Sequence, residues 1–129
     1  MFSLRKIEGG RINVFEPHYL TVGATAVSAG EALVLTDGKL VKCGATSKPT
    51  FIALADGAAD AEIAVGRVEA NQIYEVPVSA VPTALTVGSK VTLGSDGLTV
   101  TATTTSGVAE IVDLNGATAI DDKIVVRFN

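Results

Sequence analysis

The chain has 129 residues, of which 47% are hydrophobic and only 5% aromatic, and its formal net charge is −4. This acidic balance provides no positive field for a phosphate backbone, so nucleic-acid binding is not expected. The single cysteine excludes an internal disulfide framework, and no apolar run approaches the roughly 20 residues of a membrane-spanning helix. The amino terminus lacks the apolar core of a signal peptide, and we therefore expect folding in a reducing cytoplasm.

The first twenty residues form a segment that precedes the repeated part of the chain, and we predict that residues 1–20 are an N-terminal arm. This segment mixes apolar side chains with three of the ten basic residues of the chain. Such a mixture favours an arm that docks on a partner. The candidate contact residues are Phe2, Leu4, Arg5, Lys6, Ile7 and Arg11. The alternative is an ordinary first strand with a frayed end.

Two similar stretches follow the arm, "AGEALVLTDGKLV" from Ala29 and "VGSKVTLGSDGLTV" from Val87. Equivalent positions are separated by 58 to 60 residues, from the Gly30 and Gly88 pair to the Arg67 and Arg127 pair. A drift of single residues is expected where turns gain insertions and strands keep their length. The spacing predicts internal repeats over about residues 22–70 and 80–128.

Each stretch contains an Asp-Gly pair between apolar residues, which predicts a hairpin because these residues tolerate the positive φ of tight turns. Thr and apolar residues alternate in the second stretch, as in strands with one buried face. Leu33, Val34 and Leu35 are all apolar in the first stretch, which predicts a hairpin covered on both faces. We expect a β-bulge to absorb the extra residue Ser95.

The segment between the two stretches, "NQIYEVPVSAVP" from Asn71, contains a strand pattern followed by Pro77 and Pro82. Proline cannot donate to a ladder, so this segment is expected at a sheet edge or in an extended crossover. No segment has helical periodicity. The predicted fold is all-β, a small barrel or sandwich built from two similar hairpin-containing halves, with residues 21–129 as a single β domain after the arm.

A search for catalytic or metal-binding residues yields no set with a reactive arrangement. The only histidine, His18, lies ahead of both repeats and is expected to be a loop residue or a partner contact. The only cysteine, Cys43, lies in an apolar run and is predicted to be a small buried side chain. We expect no catalytic residue, no metal and no cofactor.

Two weaker alternatives concern a calcium ion and a covalent carrier. Alternate carboxylates on a loop can hold calcium. The densest such cluster is Asp56, Asp60 and Glu62. It lacks the D-x-[DN]-x-[DN]-G pattern, and a solvated loop is the favoured interpretation. Lys39 follows a hairpin tip, as in lipoyl or biotinyl carriers, but lacks the neighbouring residues that those carriers require.

The combination of "AGEALVLTDGKLVKCG", "PTFIALADGAADAEIAVGRVE", "VGSKVTLGSDGLTVTA" and "GVAEIVDL" resembles the head decoration, or capsid cement, proteins of tailed bacteriophages. The similarity in pattern and composition covers the chain from about Val22 to its end. It implies a non-enzymatic structural protein that binds the outside of a phage capsid and stabilises it by bridging major capsid subunits.

The resemblance also implies a homo-oligomer, often a trimer, on the exterior of the virion, after synthesis in the host cytoplasm. Its partners would be the major capsid protein and further copies of itself. An alternative from a different class is a receptor- or glycan-binding module of the virion surface. The absence of Trp and the presence of only two tyrosines argue against a sugar site, which usually stacks on aromatic faces.

Overall fold

The computed structural model describes residues 1–9 and 17–129, and these residues form strands joined by turns and loops, with no helix among them. The ten strands are β1 (Ser3–Ile7), β2 (Pro17–Thr21), β3 (Ala32–Thr36), β4 (Lys39–Lys42), β5 (Phe51–Ala53), β6 (Glu62–Arg67), β7 (Gln72–Pro77), β8 (Lys90–Val91), β9 (Ala109–Asp113) and β10 (Lys123–Arg127).

The strands make two antiparallel five-stranded sheets. Sheet I has the order β1-β7-β10-β9-β8, and sheet II has the order β2-β6-β5-β3-β4. The arrangement is sandwich-like and not a closed barrel. The all-β prediction is therefore confirmed, and of its two architectures the sandwich is the one that forms.

The described residues of the predicted arm belong to both sheets. Strand β1 is an edge strand of sheet I and pairs with β7, whereas β2 is an edge strand of sheet II and pairs with β6. The backbone N–H of Phe2 also donates to the carbonyl of Gly30, at 2.9 Å. The described parts of residues 1–20 thus supply one edge strand to each sheet. The division of the chain into an arm of residues 1–20 and a β domain of residues 21–129 stays a prediction.

The first predicted hairpin forms as β3 and β4, with Thr36 paired to Lys39. Asp37 and Gly38 have φ values of 52° and 79°, which suit a two-residue turn that needs positive φ at both positions. The second stretch is less regular: β8 pairs with β9, and the turn around Gly97 is closed by a bridge between Leu93 and Val100 and by a hydrogen bond from the Gly94 N–H to the Thr99 carbonyl. Ser95 lies in the loop beyond that bridge and not at a bulge in a ladder.

Strand β7 corrects the expectation for the proline-flanked segment, because it lies inside sheet I between β1 and β10. Its neighbour β1 pairs only as far as Glu75, which is opposite Ser3. Pro77 lies beyond that point and is paired only with Lys123 of β10. The missing N–H of Pro77 therefore falls where β1 has ended, so the proline does not force the strand to an edge.

The two sheets share a pairing pattern. Leu33 pairs with Phe51 in sheet II, and Val91 pairs with Ala109 in sheet I. Beyond the ends of the strands, Val22 forms a parallel bridge with Leu40, and Val78 forms a parallel bridge with Val100. In sheet II the bridge joins the end of β2 to the opposite edge strand β4, and in sheet I it joins the end of β7 to the segment that follows β8. Each sheet is therefore curved, but its two edges do not form a continuous ladder. The internal repeat stays a prediction.

The buried side chains form two clusters. The larger one contains Tyr74, Phe128 and the inward residues of sheet I, and it also takes in Ala32 and Ile52 from sheet II. The smaller one lies on the other face of sheet II and includes Leu33 and Phe51. Neighbouring residues of β3 and β5 thus point into different clusters, as expected for strands covered on both faces.

Candidate functional site

The face of sheet I that points away from the larger cluster carries many charged side chains, together with the buried apolar residues Ile73 and Val125. Residues directly opposite each other in adjacent strands share a face. Val91 and Ala109 point into the core, so the next pair, Lys90 and Glu110, lies on the opposite face, as does Arg127 across from Glu110. We call this surface the outer face of sheet I. Its other charged members are Arg5, Lys6, Glu75, Asp113 and Lys123.

An irregularity in β1 places two consecutive basic residues on this face. The register between β1 and β7 shifts between Leu4 and Lys6, so that Lys6 lies opposite Ile73. Ile73 and Glu75 are two residues apart and therefore share a face of β7. The guanidinium of Arg5 reaches Glu75 at 3.9 Å. The bulge thus directs both Arg5 and Lys6 outward, whereas a regular strand would point them to opposite faces.

Glu75, in strand β7, lies between two cations of the outer face of sheet I. Its carboxylate oxygens are 3.9 Å from Arg5 and 4.0 Å from Lys123, which belong to the strands on either side. All three side chains retain access to solvent, so each pair contributes at most about 1 kcal/mol to stability. These contacts leave the cations accessible to a partner.

A second network of charged side chains connects the end of the first strand to the last strand. Arg127 donates to Glu110, with 3.0 Å between Nε and Oε1, and its Nη1 lies 3.3 Å from Glu8. The Asn129 amide also donates to Glu110. Hydrogen bonds from Asn129 and then Arg127 hold the pKa of the Glu110 carboxyl below its usual value. Glu110 is therefore charged at neutral pH, and the network ties β10 to the end of β1.

The predicted contact residues of the arm have different environments. Phe2 is 2% exposed and packs edge-on against Tyr74, with ring centroids 6.4 Å apart. Leu4 is half-buried against the same cluster, and Ile7 is also half-buried. Arg5 and Lys6 are exposed on the outer face of sheet I. Arg11 lies outside the described residues. Contact of this set with a capsid stays a prediction, and Phe2 would have to leave the core to take part.

His18 and Cys43, the only histidine and cysteine of the chain, have different environments: His18 is exposed, and its role as a partner contact stays a prediction, whereas Cys43 is buried as predicted. His18 lies in strand β2 and not in a loop, with its ring 6.4 Å from that of Phe51. Cys43 is buried, and its thiol donates to the carbonyl of Ser47 at 3.0 Å. Burial raises the pKa of the Cys43 thiol to about 11, so the nucleophilic thiolate is scarce at neutral pH.

The acidic loop residues considered for calcium make separate contacts. Asp56 accepts a hydrogen bond from the backbone of Ala29 at 2.8 Å, and Asp60 forms an ion pair with Lys39, also at 2.8 Å. Within residues 1–9 and 17–129, no three histidine, cysteine or acidic side chains are gathered as a metal site would require. Lys39, the residue weighed as a carrier, is thus the ion-pair partner of the acidic loop.

One carboxyl group is buried where the two halves of the chain meet. Glu31 is 4% exposed, and its Oε1 accepts a hydrogen bond from the backbone N–H of Ser28 at 3.2 Å. The second hairpin reaches this position, since Ala32 donates to the carbonyl of Gly97 at 2.8 Å. Burial is the main cause that raises the pKa of Glu31. No local sequence pattern indicated this residue, because its burial depends on contact between distant segments.

An open groove of about 270 Å³ lies where the start of β1 meets β5. Its lining includes Met1, Leu4, Ile52 and Leu54, and Met1 and Leu54 are among the exposed large apolar residues of the protein. Among the described residues, no helix has the length and hydrophobicity that crossing a membrane requires.

No protein-family model matches this sequence, and the comparison with curated proteins gives no match either. Among solved structures, the fold is similar to the head fiber gp8.5 N base of bacteriophage phi29, with a TM-score of 0.61 and 14% sequence identity. The similarity covers 90% of this chain and 95% of the phage chain. At this identity the likeness establishes the fold, which extends over nearly the whole of both chains.

Proposed function

We propose that this protein is a structural component of a bacteriophage virion that binds the outer surface of the capsid. The observation that carries the proposal is the similarity in fold to the base of a phage head fiber, which covers 90% of this chain and 95% of the other. A match over nearly both entire chains means that the whole architecture is shared and not only one hairpin motif.

The sequence supports the same role independently, since its hairpin patterns resemble those of capsid decoration proteins. We infer that the protein stabilises the capsid without catalysis, by bridging neighbouring major capsid subunits from outside. Each contact can be modest, because a protein already held on one subunit meets the next at high effective concentration. It would be made in the host cytoplasm and retained on the exterior of the virion.

We further propose that the bound form is a homo-oligomer, with a trimer as the expected state. Strands β1 and β8 end sheet I, and strands β2 and β4 end sheet II. Symmetric association would cover such edges, which otherwise present backbone groups for uncontrolled pairing. Sedimentation of the protein alone and on heads tests this state separately from binding.

The experiment that tests the proposed function uses expanded, undecorated heads of the phage that encodes the protein. Purified protein is added at increasing concentration, the heads are pelleted, and bound protein is measured. We expect saturable binding and an increase in the temperature at which the heads rupture. Absence of saturable binding contradicts the proposal, and binding with no gain in heat resistance contradicts its stabilising part.

A further inference from the structure

The outer face of sheet I differs in charge from the rest of the protein. Together with Glu8 at its margin, the face carries five basic and four acidic side chains. Residues 1–9 and 17–129 contain nine basic and thirteen acidic side chains, so the rest of the described chain carries four basic and nine acidic ones. A slightly positive sheet face therefore belongs to an otherwise strongly acidic protein.

Two lysines of this face have no ion-pair partner among the described residues. The other three cations, Arg5, Lys123 and Arg127, lie within 4.0 Å of a carboxylate. Lys6 and Lys90 are exposed and make no such pair in the described part of the chain. Neither ammonium group lies within 4.0 Å of a described carboxylate, and the one of Lys90 is close enough to Glu110, its partner across the ladder, to lower the pKa of that carboxyl. Both groups can still approach an external carboxylate, because both side chains are exposed.

These two lysines lie at opposite margins of the face. Lys6 belongs to β1 and Lys90 to β8, and these are the two edge strands of the five-stranded sheet. Four interstrand spacings of about 4.8 Å separate such strands by roughly 19 Å. The two lysines are therefore separated by about the width of the sheet, and the paired strands hold the two charges at a fixed separation.

We propose that the outer face of sheet I binds an acidic protein surface, with Lys6 and Lys90 as its specificity-determining contacts. The inference rests on the proposed function, which makes that surface the exterior of the capsid shell. Like charges repel, so the acidic remainder of the molecule disfavours every orientation except the one that turns this face to the shell. Charge thus selects the docking orientation.

A protein partner is favoured over a nucleic acid by the pattern of charge within the face. Glu75 lies between Arg5 and Lys123, and Glu110 lies between Arg127 and Lys90. A phosphate backbone is uniformly negative and would meet these carboxylates. A protein surface with scattered acidic and basic groups can place a carboxylate at each lysine and a donor at each carboxylate.

The test measures affinity for expanded heads with charge-reversed variants. Lys6→Glu, Lys90→Glu and the double variant remove the proposed contacts. Lys48→Glu is the matched control, because Lys48 is also exposed and unpaired but lies between β4 and β5, away from this face. Thermal unfolding checks that every variant folds, and Lys6→Arg with Lys90→Arg tests for rescue by charge alone.

We expect the double variant to lose affinity by tenfold or more, on the scale that a 1.4 kcal/mol change produces. The control and the arginine variant should bind like the wild type, and wild-type affinity should fall as salt is raised. Equal binding by the double variant and the wild type would overturn this inference and leave the proposed function intact. Failure of the wild type itself to bind would remove the proposed function and this inference together.

Two other results would assign the outer face of sheet I to a different partner. If the double variant dissociates in sedimentation experiments under conditions where the wild type self-associates, the lysines contact a second copy of the chain. That outcome would overturn the assignment to the shell. Binding of wild-type protein to duplex DNA at physiological salt, with loss in the double variant, would overturn it as well.

Discussion

Replacement of Phe2 by alanine tests whether the start of the chain is part of the folded core. Phe2 is 2% exposed and belongs to a group of three rings, with centroids 6.4 Å from Tyr74 and 5.6 Å from Phe128. Removal of a phenylalanine side chain from such a site costs about 3 to 5 kcal/mol, through lost transfer free energy and the cavity that remains. A detachable arm would show almost no such cost.

The expected shift in melting temperature follows from the size of the protein. An unfolding entropy of about 2.1 cal/mol/K per residue gives roughly 0.27 kcal/mol/K for this chain. The free-energy loss therefore corresponds to a decrease in Tm of about 11 to 18 °C. Thermal and urea unfolding of Phe2→Ala measure it, and Phe2→Leu keeps the experiment informative if the alanine variant fails to fold.

Lys6→Ala is the control on the same strand, because its side chain is exposed and should change stability by about 0.5 kcal/mol or less. If Phe2→Ala loses less than about 1 kcal/mol, the phenylalanine does not contribute to the core as its burial indicates. The reasoning that assigns β1 to the sheet by side-chain packing would then be refuted.

Three further predictions concern backbone space, the buried thiol and the buried carboxyl. Gly107→Ala should lower the free energy of unfolding by about 1 to 3 kcal/mol, because the new Cβ would lie 2.1 Å from the Lys90 carbonyl oxygen. Gly44→Ala is the control, since its Cβ meets only Ser47 Oγ at 3.6 Å. Urea unfolding should show the loss in the first variant and almost no change in the second. Cys43 should react with an alkylating reagent far more slowly in native protein than in urea, and equal rates would contradict its burial and its raised pKa of about 11. Because burial raises the pKa of Glu31 above 4.5, its stabilising contribution is present below that pH and is lost as pH rises through the folded pKa. Glu31→Gln keeps an acceptor for the Ser28 N–H. In urea unfolding, the free energy of unfolding of this variant should therefore rise relative to that of the wild type between pH 4 and pH 7. A difference that stays constant over this range would contradict the prediction.

Local turn chemistry and the alternation of apolar residues made much of the fold predictable from the sequence. The Asp37-Gly38 pair marked a tight turn, and the pair has the positive φ values that such a turn needs. The apolar run from Leu33 to Leu35 indicated a hairpin covered on both faces. Leu33 and Val34 pack against different clusters, but Leu35, nearer the turn, is 43% exposed, so the cover on both faces does not extend to the tip. These features depend on residues close together in the chain.

Features that depend on distant pairing were not predictable in the same way. The proline rule placed the segment around Tyr74 at an edge, but β1 pairs with it up to Glu75 and makes it an interior strand. The bulge that turns both Arg5 and Lys6 outward has no local sequence signal, because it arises from the register between β1 and β7. The candidate face was therefore visible in the sequence only as a mixture of basic and apolar residues.

The most direct test of the central claim is electron cryomicroscopy of heads from the source phage, compared with heads from a mutant that lacks this gene. The account predicts additional density on the outside of wild-type heads, at positions where major capsid subunits meet, into which the two five-stranded sheets fit. Identical maps from the two kinds of head would contradict a structural role on the capsid surface.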